Sequence, residues 1–329
     1  MQKLKVGLYW AASCGGCEIA VLDIDEKILD VIKYVDIEFW PVAMDTKYND
    51  VEALPDKYFD VVFFNGGIRN DENEHMAKLL RQKSKIMVAF GSCAIHGCVI
   101  GLANYYGKDA ILRRAYLEAE SNNREDVEKG VMPTPKGDYL TLPVVLQCLK
   151  TLDEVVEVDY YLPGCPPPPE LVAEAFEKII SGKLPPKGSV LAPEHTQCKE
   201  CPRNPSPGEN IPKIKEMPDI KRIWEIEDDG RCFLEQGVIC MGPVTRAGCS
   251  SRCLKANHPC TGCMGPPPNI RDAGAKLISM VGSILKLSGE KELDEEAAEK
   301  IAEKIKDYIG TFYLYSYAKS FAGKRRCKR

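Results

Sequence analysis

The chain has 329 residues, 44% of them hydrophobic and 8% aromatic, with a formal charge of −4. That is enough apolar material for one large domain or two ordinary ones, and the near-neutral balance does not call for nucleic acid or an anionic membrane as a partner. Fifteen cysteines are far above ordinary usage. The start, MQKLKVGLYW, runs from charge straight into a strand, with no apolar leader and no twin-arginine pair; nor does the chain hold an apolar run long enough to span a bilayer. The expectation is a cytoplasmic protein whose reduced thiols serve metal, not a secreted disulfide scaffold.

Taken in order, the first half alternates strand and helix patterns. Residues 5–10 read as a short apolar strand, 18–34 as a helix, and 36–41 and 59–64 as strands. Residues 70–83 read as a polar helix, 85–90 as a buried strand, 140–150 as a helix, 155–162 as a last strand and 170–180 as a last helix. The charged stretch 111–137 reads as an exposed helix and a long loop. The sum is an α/β fold with a doubly wound parallel sheet, most simply flavodoxin-like, over residues 1–185. After about Gly182 proline and glycine become dense and periodicity fades until residue 270, while eight cysteines fall between Cys198 and Cys263. Such a segment cannot offset its ordering entropy by apolar burial, but metal ligation can fold it. Residues 186–329 are therefore expected to form an irregular, cysteine-rich unit, closed by helices over 269–287 and 293–309.

The spacing of the cysteines carries the chemistry. Cys14 and Cys17 form a C-x-x-C after the first strand, Cys93 follows the strand ending at Phe90, and Cys165 follows the last strand. Three strand–loop junctions at the carboxyl edge of one sheet thus supply four thiols to the crevice where open parallel sheets bind ligands. Gly15, Gly16, Gly91 and Gly164 let the backbone approach a bulky group and leave amides free for its sulfurs. Downstream, Cys198, Cys201, Cys232, Cys240, Cys249, Cys253, Cys260 and Cys263 make eight further ligands, enough for two four-thiolate sites. Spacing alone leaves structural zinc open, in which case the chain would be a zinc-stabilised binding protein without redox role. The Cys-Pro pairs at Cys165 and Cys201 lean towards iron–sulfur ligation.

The set CGGCE, GSCA, PGCPP, RCFLEQGVICMGP and HPCTGC, in that order across nearly the whole chain, resembles the small subunits of nickel–iron hydrogenases. Among them it is most similar to the coenzyme F-420-non-reducing (methyl-viologen-reducing) branch. The resemblance implies an electron-transfer subunit with no catalytic nickel site of its own, paired with a large subunit and carrying three 4Fe–4S clusters. Cys14, Cys17, Cys93 and Cys165 would hold the proximal cluster, Cys249, Cys253, Cys260 and Cys263 the medial one, and Cys198, Cys201, Cys232 and Cys240 the distal one. It also implies heterodisulfide reductase as the acceptor, reached through a small iron–sulfur protein. Service of a deazaflavin or of NAD(P) is the alternative. His195 stands as a fifth candidate at the distal site. Of the remaining cysteines, Cys148 reads as helical core and Cys327 as part of a solvated basic tail, while Cys98 is left out of the ligand set. Glu18 reads as a cap of the first helix, Asn65 as a turn former, and the aromatic run 312–317 as either a partner contact or core.

Overall fold

The computed structural model describes residues 3–121, 131–133, 139–285 and 295–327. Among the described residues nine strands are defined: β1 (Leu4–Trp10), β2 (Val35–Phe39), β3 (Phe59–Asn65), β4 (Ile68–Asn70), β5 (Ser84–Phe90), β6 (Val131–Pro133), β7 (Tyr139–Thr141), β8 (Val145–Lys150) and β9 (Tyr160–Leu162). Five of them form one wholly parallel sheet in the order β2-β1-β3-β5-β9, the doubly wound topology expected. Its central strands read as continuous apolar runs because both faces are covered. Phe63 and Phe90 meet Phe176 of the helix Pro169–Ile180 on one face. Phe59, Val62 and Phe64 pack with Met76 and Leu80 of the helix Asp71–Lys83 on the other. A third core gathers Met217, Phe233, Leu234, Met241, Leu277 and Phe312 from the second half, with Cys232, Cys240 and Cys260 among them.

Four expectations need correction. The helix expected over 18–34 is divided into Gly16–Leu22, a single turn at Asp25–Lys27 and Ile28–Val31, and Asp25 lies in the left-handed region between them. Residues 140–150 are extended. Pro143 disfavours helical backbone before it, and β8 pairs antiparallel with β4. The buried Asn104 completes the arrangement as a surrogate strand partner: its side-chain amide donates to Leu149 O at 2.9 Å and accepts from Leu149 N at 2.8 Å. Only Tyr160–Leu162 of the last expected strand is extended, because Thr151–Glu154 closes a capped turn first. Finally, Cys148 is not in a helix and Cys327 is not a frayed end, since the two are joined by a disulfide that ties β8 to the closing helix Phe321–Cys327. Much of 111–137, and the first two residues of the helix expected over 293–309, lie outside the described residues. The run 312–317 packs inward through Phe312 and Tyr317, both buried.

The sheet edge is locked by one buried carboxylate. Asp159 is 1% exposed, pairs with Arg81 and Lys187 at 2.6 Å each, and accepts from Met87 N at 2.8 Å. Burial alone would raise its pKa, but the bonds from Lys187, Arg81 and the Met87 amide outweigh burial and hold it below the ordinary value. A depressed folded-state pKa means stability that is present above about pH 4 and lost as the pH falls through the lowered value. Asp159→Asn is expected to cost about 1–3 kcal/mol, since it removes the charge from the buried acceptor of the bonds from Arg81 and the Met87 amide, while the exposed Lys187 is left to solvent. It should also flatten the acid limb of the stability curve, which thermal melts between pH 7 and pH 3 will check.

Candidate metal centres

The first group of thiols is built on the loops that leave β1, β5 and β9. Gly15 takes a left-handed conformation at φ 82° and turns the chain into the helix Gly16–Leu22, which carries the buried Cys17. Cys14 stays exposed at the rim. Gly91, at φ 80°, opens the short helix Gly91–His96 that carries Cys93, and a Cβ there would lie 2.2 Å from Cys17 Sγ. No side chain fits at that position. Ser92 N donates to Gly164 O at 2.8 Å and Gly164 N donates to Ser92 Oγ at 3.2 Å, which fixes the Cys165 loop against the Cys93 loop. A thiol outside the expected set joins them: Cys98 is buried, with its Sγ 3.4 Å from Cys165 Sγ. Its spacing of five residues from Cys93 is the only trace of this in the sequence.

The other two groups lie in the second half. Cys249, Cys253, Cys260 and Cys263 line one small cavity together with Gln197, Thr245 and Met264. Cys198, Cys201, Cys232 and Cys240 line another, closed by Arg203, Asn204 and Phe233. Arg203 lies 4.3 Å over the Phe233 ring and forks onto Asp228 with two contacts of 2.6 Å. His195 does not line this second cavity; its Nε2 pairs with Glu200 at 3.2 Å. Gly242 again makes room, since a Cβ would sit 3.1 Å from Cys198 Sγ and 3.6 Å from Cys240 Sγ.

The three groups touch in series. Ser92 Oγ donates to Cys263 O at 2.5 Å, joining the first group to the second. Cys260 N donates to Cys240 Sγ at 3.3 Å, joining the second to the third, and Leu254 lines both cavities.

The electrostatics of the buried thiols favour the protonated form. Burial pushes the thiols of Cys232 up to about 11 and of Cys240 and Cys263 up to about 12, and it raises Cys198 with help from Cys240 and Cys232. Cys17 is raised by burial and then by Cys165. Thiols so placed become thiolates only with metal charge among them. Backbone N–H groups already point at the sulfurs, from Arg203 to Cys201 and from Gly16 to Cys14 at 3.4 Å each. The donor set and its amide contacts suit an iron–sulfur core.

Glu18 is not a helix cap. It is buried, accepting from Trp40 Nε1 and from Asn65 Nδ2 at 3.1 Å, so Asn65 is a partner and not simply a turn former. Burial raises its pKa against the pull of these two bonds.

Comparison with known proteins agrees with this geometry. The family described as "NADH ubiquinone oxidoreductase, 20 Kd subunit" matches residues 14–179, from the first cysteine to beyond Cys165. The iron–sulfur subunit of the F420-non-reducing hydrogenase of Archaeoglobus profundus is 44% identical over 289 residues, 86% of this chain and 88% of that one. The corresponding subunit of the F420-non-reducing hydrogenase of Methanothermobacter thermautotrophicus is 38% identical over 96% of this chain and 94% of that one. The chain belongs to this hydrogenase small-subunit family. As a member it is the electron-transfer small subunit of a hydrogenase, an oxidoreductase acting on H2. A chain of the recombinant [NiFeSe] hydrogenase of Desulfovibrio vulgaris Hildenborough shares the fold, with a TM-score of 0.51 at 16% identity over 82% of this chain and 95% of that one.

Gly91→Ala is expected to remove the occupant of the first group alone, because its methyl and Cys17 Sγ cannot share the space. Iron should fall by about four per chain if that group holds one cubane. Gly282→Ala, which meets nothing within 4 Å, should leave the iron unchanged.

Proposed function

We propose that this subunit relays electrons one at a time between the nickel–iron site of a large subunit and an acceptor, through three 4Fe–4S clusters. Cys14, Cys17, Cys93 and Cys165 would hold the proximal cluster, Cys249, Cys253, Cys260 and Cys263 the medial one, and Cys198, Cys201, Cys232 and Cys240 the distal one. The acceptor fits heterodisulfide reductase, reached through a small iron–sulfur protein. The observation that carries the reading is the series of three thiol groups joined by Ser92 and by the Cys260 amide. Clusters of this kind supply one-electron transfer at potentials set by charge, hydrogen bonds to sulfur and burial.

The chain's own residues do the rest. Glycines 91 and 242 admit sulfur, the N–H groups of Arg203 and Cys260 favour thiolate, and Phe233 and Leu254 keep water out. Cys253 gives the medial group a fourth thiolate and therefore a full cubane. For the large subunit, the exposed apolar side chains of Ile19 and Leu22, on the helix that carries Cys17, offer a docking point near the exposed Cys14.

Two measurements test this. Anaerobically purified protein should carry about twelve irons and as many acid-labile sulfides per chain; zinc without sulfide would sink the proposal. Ile19→Asp combined with Leu22→Asp should abolish co-purification of the nickel-bearing subunit while the iron of this chain is kept.

A further inference from the structure

A groove of about 860 Å³ opens beside the second thiol group, whose Cys260 lines it. Its floor is apolar, formed by Ile220, Val238, Met241 and Cys260, all buried. Cys260 donates its amide to Cys240 Sγ at 3.3 Å, so the floor is in direct contact with both groups. The rim bears Trp224, 74% exposed and the most exposed large hydrophobic among the described residues, with Arg222 5.5 Å over its ring. An exposed tryptophan beside an arginine is the pairing that anchors protein interfaces.

Charge decides what would sit there. The chain as a whole is acidic, at −4, yet the groove is lined by five cations, Lys221, Arg222, Lys300, Lys304 and Lys306, against three carboxylates. Within the chain Asp219 is paired with Lys304, and Lys300 with Glu296, which leaves Lys221, Arg222 and Lys306 against Glu225 and Glu303. Lys221 and Lys306 are exposed and form no ion pair among the described residues.

We infer that this groove is the docking site of an acidic one-electron carrier protein, which inserts an apolar or aromatic side chain beside Trp224 and sets carboxylates against Lys221 and Lys306. The inference deepens the electron-relay reading and rests on it. The local excess of cations would steer an acidic partner that the rest of the surface repels, so the encounter weakens as salt screens it. The apolar floor brings that partner's redox group to within one hydrogen bond of the third group, since Cys260 on the floor donates its amide to Cys240 Sγ.

The test uses the holo-complex with its large subunit and an acidic two-cubane ferredoxin as probe. Binding is measured by calorimetry at 50 and 300 mM salt, and H2-dependent ferredoxin reduction is divided by the benzyl viologen rate of the same preparation. Lys221→Glu combined with Lys306→Glu should weaken binding by about tenfold or more at low salt and remove most of the salt dependence. Trp224→Ser should weaken it at both salt concentrations. Lys33→Glu combined with Lys78→Glu, far along the chain on the sheet half, should do neither. Binding unaltered by the groove variants, or altered equally by the Lys33/Lys78 pair, overturns the inference, as does tighter binding of a basic carrier such as a cytochrome c. Absence of viologen-linked H2 oxidation in the unaltered complex would instead strike the relay reading, while the calorimetry would still decide the docking site.

Discussion

The constraint on which this structure depends is the burial of acidic sulfur. Thiols brought together out of water resist ionisation, since burial and mutual repulsion both favour the proton. Cys198, Cys232, Cys240 and Cys263 all have raised pKa values for that reason. Cationic metal reverses the balance, and its binding free energy becomes folding free energy. The second half is the part most subject to this balance. It has few regular elements between the helices Pro169–Ile180 and Ala273–Ile284, and three cysteines are counted in its apolar core. The same constraint selects glycine wherever sulfur must come closest, at Gly91 and Gly242, because a single methyl would occupy the space of the sulfur or press upon it.

The sulfur groups are held in a fixed series as well as individually. Ser92 ties the Cys165 loop to the Cys93 loop through Gly164, and then reaches across to the carbonyl of Cys263. The Cys260 amide performs the equivalent task further on, donating to Cys240 Sγ. A backbone amide aimed at a sulfur ligand both positions it and stabilises its negative charge. Position and potential are therefore set by the same contacts.

The strand ends are legible in the sequence because a parallel sheet buried on both faces writes itself as apolar runs such as VVFF and IMVAF, each followed within two residues by glycine. The motifs that follow β1, β5 and β9 are thus assignable to one edge from pattern alone. What is illegible depends on contacts distant in sequence. β8 is a strand because of β4 and Asn104, which lie some 40 to 80 residues away, and its own LQCLK pattern suits a helix equally well. The pairing of Cys148 with Cys327 spans 179 residues, and no local rule connects a mid-chain cysteine with one in a basic tail. Spacing passes over Cys98 because a four-thiol site is complete without it. Only the fold brings its sulfur to Cys165.

The crevice itself shows how a common architecture was turned to a different ligand. β1 and β3 lie side by side while their onward connections diverge, which is the switch point where flavodoxin-like sheets bind phosphate through backbone amides. Here the chain after β1 carries CGGC and then Glu18, and β3 ends on Asn65. Glu18 is buried between Trp40 and Asn65, a carboxylate in the position least hospitable to an anion. Lining this crevice with thiols thus needs no change of strand order. The difference lies in the loops, where Cys14, Cys17, Cys93 and Cys165 stand beyond the ends of β1, β5 and β9.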